Sequence, residues 1–492
     1  MNYIERDSKQ LISHHSHITI HPYKLGEIPA LEKHLSVWVD AEYKYNPLGY
    51  DYDEKTQTLY VPRGISSIML ERQCNTRMLT NHDCVKPKKF IRVAMTCAPR
   101  DRIQTQSIDF LSGYGDKVDT LKFSQQALIL DTGDGKTYTT THAIINHRMT
   151  SIIITHQDAI KMQWIDTFKT KTTMPHDYLI NLQGSDSILD VISGKKEGYI
   201  YFVNHQTLKS FAKQYGWEAV RKFFEIAKIG IKVFDEAHLN FRNVLLIDFH
   251  SNVFKTFYLT ANFGRTDTKE GILYKRVFSN VKQFGEETKN YAEKRKHIIY
   301  VPVLYRSTPS SYDKQYVLNN YGFSVLNFSN YALHEDPKRT QINKFLDILD
   351  IAMKMEGRIL VTVPRIDDTE FIMKTIKDEY LDLTKTIGTI NSRNTKVHNE
   401  DVKENCDIIV STIKSCGTGV DIKKLRCVIN MEPFSSHITS NQLAGRLREY
   451  SPTQDTYLFD LIDTAFPTCE NQYRTKLTHM KKKCKEIQVY KK

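Results

Sequence analysis

Two short stretches of this chain contain residue types that do phosphate chemistry. The first is Gly133-Asp134-Gly135-Lys136-Thr137, which follows the apolar run Ala127–Leu130 and leads into a helix predicted to begin near Tyr138. Glycines let backbone N–H groups turn inward around phosphate oxygens, and a helix N-terminus adds positive potential there. Lys136 is suited to reach β- and γ-phosphates, and the Thr137 hydroxyl to bind Mg²⁺. Leu130 stands where the longer loop pattern has its first glycine, so the match is to the shorter G-x-G-K-T form. The second stretch is Asp235-Glu236-Ala237-His238, at the end of the hydrophobic run Ile229–Phe234. Asp235 is suited to hold Mg²⁺, directly or through its waters, and Glu236 to orient and deprotonate the water that attacks the γ-phosphorus. Taken alone, an Asp-Glu pair after a strand is commonly a solvated turn. Downstream of a phosphate loop it reads as the acidic half of a nucleotide-hydrolysing site.

These residues need a scaffold that brings distant loops to one edge. From Gln104 onward, short buried runs alternate with amphipathic stretches: Ala127–Leu130, Ser151–Thr155, Tyr199–Val203, Ile229–Phe234 and Phe257–Thr260, then Arg358–Val363, Asp407–Ser411, Cys427–Met431 and Tyr457–Leu461. Isolated apolar strands separated by helices predict parallel sheets covered on both faces, with ligands at the C-terminal edge of the strands. The strands are too many for one compact sheet, so we expect an α/β fold with two such domains, divided between Phe284 and Glu335. Residues 1–95 read as a small separate α+β domain, with strand character at Ile18–Tyr23 and Thr58–Val61 and a helix over Leu25–Asp40. The expected organisation is therefore 1–95, 96–285 and 286–492.

Composition narrows the partners. In 492 residues, 26% are charged and 40% hydrophobic, which excludes a disordered, collagen-like or coiled-coil chain. Lys and Arg number 69 against 57 Asp and Glu, a net +12 that favours a polyanionic partner without naming it. The segment Asn471–Lys492 carries eight Lys/Arg against one Glu and reads as an amphipathic helix with a basic outer face. The eight cysteines form no CxxC pair, as reduced structural thiols would. His82 and Cys84 could ligate a metal, but no second pair stands at zinc-site spacing, so no zinc site is expected. No long apolar run is present and the start is polar, so no membrane span or secretory signal is expected, and the location expected is cytoplasmic, in the host cell if the protein is viral.

The order of motifs resembles the superfamily 2 helicases. Asp235-Glu236-Ala237-His238 is similar to the DEAH form of their motif II, and further motifs follow across residues 104–449. The resemblance implies that Gln104, or Gln106 in its place, recognises adenine, and that Thr132, Gly133, Asp134, Gly135, Lys136 and Thr137 bind ATP. Leu259-Thr260-Ala261-Asn262 resembles motif III, with Asn262 where the family usually has Thr. It implies a coupling role for Thr260 and Ala261, and Thr260 has a hydroxyl to offer His238. Ile153–Gln157 and Val203–Leu208 look like motifs Ia and Ib, which lie on nucleic-acid phosphates in the family; they contribute Thr155, His156, Asn204, His205 and Gln206. The pair Gln163-Trp164 resembles the UvsW and XPB-like branch, with Trp164 read as a core anchor rather than a base-stacking group.

In the second domain, Ile359–Arg365 looks like motif IV and implies a strand contact by Arg365. Val410-Ser411-Thr412 with Gly417–Ile422 resembles motif V, implying nucleic-acid contact by Thr412 and nucleotide contact by Gly419 and Asp421. Gln442-Leu443-Ala444-Gly445-Arg446-Leu447-Arg448-Glu449 resembles motif VI. Arg446 is then the arginine finger, with Arg448 one position short of the family's second arginine and Gln442 a coupling residue. The family's common architecture implies two tandem RecA-like domains, with ATP and Mg²⁺ as cofactors. The layout is most similar to UvsW-type enzymes, which implies a monomeric DNA helicase or translocase. It would remodel branched, forked or duplex DNA in recombination, repair or replication. Poxvirus-type transcript-release helicases share the layout and imply an RNA–DNA hybrid as the alternative substrate. A nucleic-acid-binding protein with a decayed ATPase is disfavoured by the intact Lys136, Asp235, Glu236 and Arg446.

Overall fold

The computed structural model describes residues 17–39, 44–46, 48–65, 67–75, 78–82, 84–113, 124–130, 133–260, 268–285, 296–319, 322–415, 422–451 and 453–490. The chain divides into two compact units, Met1–Ala292 and Glu293–Lys492.

The first unit opens with an antiparallel sheet of β1 (His17–Ile20), β4 (Asp51–Asp53), β5 (Thr58–Tyr60) and β6 (Leu79–His82), in the order β4-β5-β1-β6, plus the hairpin β2 (Val37–Val39) and β3 (Lys44–Asn46). The helix expected over Leu25–Asp40 is only Pro29–His34. Gly26 sits at φ +87° in the turn before it, and the β-branched Val37 and Val39 continue as a strand. This segment has a small core of its own around Ile20, Leu31, Leu59 and Leu70, yet Val37 and Tyr60 belong to the core of the larger domain. Arginines of the larger domain reach into it. Arg242 donates to the carbonyls of Leu48 and Tyr50 at 2.9 and 2.6 Å, and Arg276 to that of His34 at 2.9 Å. In return Arg63 donates to Val253 O at 3.0 Å, and Asp51 accepts from the His250 ring at 2.8 Å.

The larger part of the unit is a seven-stranded parallel sheet made of β7 (Gln125–Ile129), β8 (Ser151–Thr155), β9 (Leu179–Asn181), β10 (Ile200–Asn204), β11 (Ile231–Phe234), β12 (Lys255–Thr260) and β13 (Lys282–Gly285). Its order is β13-β7-β12-β11-β8-β10-β9. Side chains alternate between two apolar layers: Ile152 and Ile154 face one core and Ile153 the other. Burial on both faces is why these strands read as continuous apolar runs.

The second unit repeats the plan. Its seven parallel strands are β14 (Ile298–Tyr305), β17 (Arg358–Val363), β18 (Ile387–Ile390), β19 (Ile408–Thr412), β20 (Leu425–Asn430), β21 (Thr456–Asp463) and β22 (Glu486–Ile487), in the order β18-β19-β17-β20-β21-β14-β22. A short hairpin of β15 (Leu318–Asn319) and β16 (Gly322–Phe323) lies outside it. The α/β class and the two parallel sheets match the expectation. Five strands of the two parallel sheets were not anticipated: β9, β13, β14, β18 and β22. Strand β14 falls inside the expected seam, where Pro302 interrupts an otherwise strong strand signal. The basic, one-sided helix expected of the C-terminal segment is present, with one of its lysines turned inward. Pro467–Lys483 is helical, but Lys476 is buried and bonded to Asp460 at 2.7 Å, and the chain ends along β14 as β22.

Among the described residues no helix is long and apolar enough to cross a membrane. His82 shares a 2.8 Å hydrogen bond with the Thr19 hydroxyl, and no described group of three or more His, Cys, Asp or Glu is placed to hold a metal.

Candidate active site

Adjacent strand ends build the site. Along the C-terminal edge of the first parallel sheet run the phosphate loop after β7, Thr260 closing β12, the acid pair after β11, Thr155 closing β8 and Asn204 closing β10. Backbone bonds continue the ladder past the strands and hold these loops in register: Leu130 N–H donates to Thr260 O at 3.1 Å, Asp235 N–H to Ile154 O at 3.1 Å, and Ala237 N–H to Leu259 O at 2.8 Å.

In the phosphate loop, Gly133 and Gly135 take φ of +94° and +87°, a region L side chains rarely enter. A Cβ at Gly135 would lie 2.3 Å from Nε2 of Gln104, so that amide would have to shift. Gln104 is buried against the loop. Its amide nitrogen is 3.5 Å from Asp134 O and its carbonyl accepts from Arg100 N–H at 2.8 Å. Arg100 also extends to Gly133 O at 3.5 Å. The helix begins at Lys136, two residues before the expected Tyr138, so the lysine and Thr137 both lie in its first turn. Lys136 is only 8% exposed. Its ammonium donates to Leu130 O at 2.9 Å and stands 3.8 Å from the Glu236 carboxylate.

The acid pair is held from several sides. Asp235 is buried, and its carboxylate accepts from the Trp164 indole N–H at 2.7 Å and from the Glu236 backbone N–H at 3.0 Å. Burial, and then the Glu236 carboxylate beside it, raise the Asp235 carboxyl above the usual carboxylate range. Glu236 adopts φ +48°, a left-handed conformation uncommon outside glycine and the kind of strain that collects at reacting centres. The His238 ring lies between partners: Nδ1 is 2.9 Å from the Thr260 hydroxyl and 3.4 Å from the Glu236 carboxylate. Tyr274, on the helix Thr268–Val277, donates to His238 O at 2.8 Å.

The donors suit magnesium. Hydroxyl and carboxylate oxygens are the hard ligands this ion selects, and a cation beside Asp235 and Glu236 would relieve the repulsion that raises the Asp235 carboxyl. Thr137 and Asp235 are the residues that would hold it.

Further along the edge, Thr155 donates to Asn204 Oδ1 at 2.7 Å, and Asn204 donates to Asp158 at 2.9 Å. The His156 and His205 rings stack at 6.5 Å. His205 is 3% exposed, and burial pushes its imidazole down to about 4. His205 is thus covered in this structure, as is Thr155, and has little surface for the outward phosphate contact expected of it. Gln206, next to it, is exposed.

In the second unit, Arg365 follows β17. Its guanidinium is engaged with the buried Asp368 carboxylate at 3.0 Å, which also accepts from Ser329 at 2.7 Å. Thr412, closing β19, is buried and bonded to Ser415 Oγ at 2.9 Å. The helix His437–Ala444 ends before Arg446, so the motif VI arginines lie on the turn after it; Gln442 and Arg446 are half-buried and Arg448 is exposed. Thr132, Ala261, Asn262, Gly417, Gly419 and Asp421 lie outside the described residues.

Trp164, Tyr274, Asp158 and Arg100 are contacts the sequence reading did not foresee. Only Trp164 carried a signal, through the Gln163-Trp164 pair, and its role in the core is confirmed by its complete burial.

Residues 103–265 match the family model described as type III restriction enzyme, res subunit, and residues 340–449 match the helicase conserved C-terminal domain. A curated relative is the transcript termination protein A18 of fowlpox virus (strain NVSL), 23% identical over 349 residues, which are 68% of this chain and 69% of that protein. In fold the chain is similar to a fragment of a putative HsdR subunit of a type I restriction enzyme from Vibrio vulnificus YJ016. The TM-score is 0.52 at 14% identity, covering 79% of this chain and 67% of that one. It is likewise similar to S. cerevisiae Dbp5 bound to RNA and ADP BeF3, with a TM-score of 0.52 at 12% identity, covering 79% and 89%. The two α/β domains are RecA-like domains of the helicase type.

Proposed function

The chain is a superfamily 2 helicase and an ATP-dependent enzyme, and from that premise we propose that it separates RNA from template DNA, as a transcript-release motor. The relatedness to a viral transcript termination protein supports this substrate. The observation that carries the motor itself is the convergence of Lys136, Glu236, Asp235 and the His238–Thr260 pair on one sheet edge.

In this reading the loop amides of Gly133 and Gly135 and the Lys136 ammonium bind the β- and γ-phosphates, while Gln104 reads adenine. Thr137 and Asp235 would hold magnesium, which when bound would supply positive charge against the transferring phosphoryl group. Glu236 orients the attacking water and takes its proton; the left-handed backbone at this residue sets where the carboxylate stands. His238 joins Glu236 to Thr260, so loss of the γ-phosphate can be felt on β12. Arg446 is the proposed arginine finger. Thr155, His156, Asn204 and Gln206 are the proposed strand contacts of the first domain, and Thr412 and Arg365 of the second. Arg365 would need to share its guanidinium with Asp368.

Remodelling of branched DNA is the second reading, supported by the Gln163-Trp164 pair. ATPase stimulation measured with single strands, duplex, forks, four-way junctions, RNA and a bubble containing an RNA–DNA hybrid tests both. Strongest stimulation by the hybrid bubble, with release of its RNA, is expected. Preference for forks or junctions would replace the first reading with the second, and turnover indifferent to nucleic acid would overturn both.

A further inference from the structure

Trp164 sits on the helix Asp158–Lys171 with 0% of its surface exposed. An indole has one polar atom, its N–H, and burial obliges that donor to find an acceptor. Of the acceptors in this core it takes the Asp235 carboxylate, at 2.7 Å. The other carboxylate oxygen takes the backbone N–H of Glu236 at 3.0 Å. Two donors from different elements therefore fix the plane of the carboxylate and leave its remaining lone pairs for a cation.

The helix that carries the indole is itself anchored. Asp158 at its start accepts from Asn204 at 2.9 Å and pairs with the buried Lys161 at 2.9 Å, while Ile160, Ile165 and Phe168 sit in the core. The indole cannot drift without moving this whole element. A phenylalanine would fill most of the same space, so packing alone does not call for a tryptophan.

We propose that Trp164 is a positioning residue for the metal: its indole N–H sets the orientation of Asp235, and through it the affinity of the nucleotide site for a divalent cation. The proposal rests on the reading of Asp235 as a metal-holding residue. Groups that orient metal ligands in this way change metal affinity by roughly 10–100-fold when removed.

The test uses the full chain with Mn²⁺ as a spectroscopic probe, titrated in the presence of ADP and followed by electron paramagnetic resonance. Two variants are compared with the parent: Trp164→Phe, and position 164 carrying the benzothiophene analogue of tryptophan, which keeps the ring shape and lacks the N–H. Both are expected to weaken Mn²⁺ binding by roughly tenfold or more. ATP turnover in the analogue-bearing protein is expected to recover as Mg²⁺ is raised, which a packing defect would not do. If the analogue-bearing protein binds Mn²⁺ as the parent does, Trp164 is only a core residue and the proposal fails. If the parent itself does not bind Mn²⁺ with ADP, the metal reading of Asp235 fails first, a distinct result.

Discussion

Strand β11 presents Asp235 to the site, and three residues earlier the same strand carries a lysine with 0% exposure. The Lys232 ammonium has three acceptors: Asp248 Oδ1 at 2.6 Å, Ser251 Oγ at 2.6 Å and Ser251 O at 3.1 Å. The second oxygen of Asp248 accepts from Tyr258 at 3.0 Å. Lys232→Met keeps the length of the side chain and removes the charge. It leaves the Asp248 anion buried with a neutral donor in place of its cation, and breaking a buried pair this way costs about 3–5 kcal/mol. Removing the anion as well, in Lys232→Met/Asp248→Leu, eliminates that penalty. Apolar replacement of a whole buried pair is often close to neutral, and the orphaned Tyr258 hydroxyl then costs about 1–3 kcal/mol. The double variant should therefore be more stable than Lys232→Met by about 2 kcal/mol, the difference between the midpoints of these two ranges. Urea unfolding followed by circular dichroism measures this. The two units can unfold separately, so the transition of the first must be resolved. A single-variant cost below about 1 kcal/mol, or a double variant no more stable than the single, would refute the view that charge pairing anchors β11.

Lys136→Ala should abolish ATP turnover and leave nucleic-acid binding largely intact, read by hydrolysis and by filter binding on the same preparation. Glu236→Gln should bind ATP and hardly cleave it, which single-turnover hydrolysis checks. Arg446→Ala should lower kcat by roughly 10³-fold or more while ATP still binds, the scale expected of an arginine finger. Burial holds the His205 imidazole at about 4, below its unfolded value, so its contribution is complete above about 6.5 and is lost as pH falls toward 4. Denaturation midpoints at stepped pH should show that loss, and His205→Gln should reduce it, with His147 supplying part of what remains.

The catalytic loops were legible because their chemistry is local. A lysine after two glycines and two carboxylates after a strand carry their meaning wherever they occur, and the parallel sheet brings them together at adjacent strand ends. Strand β8 was legible in full, since every residue from Ser151 to Thr155 is buried. Strand β14 was not, because it lies in the stretch read as the seam between domains, and its partners β21 and β22 are far away in sequence. The availability of side chains was less legible still. Arg365 and His205 have the right type at the right place, but Asp368 engages one and neighbouring side chains cover the other. Both facts depend on residues the motifs do not contain. The bond from Trp164 to Asp235 spans 71 positions, and nothing in the local pattern announces it.

A short N-terminal segment invites the idea of a tethered probe that swings toward its target. Guanidinium groups clasping main-chain oxygens of this segment tie it to the body of the first unit instead. The segment must travel in step with the phosphate loop, as a blade brazed to its handle travels with the hand. Cutting the chain at residue 90 would strip a seal from a hydrophobic interior rather than unhitch an accessory. The informative way to loosen this joint is to change Arg242 alone.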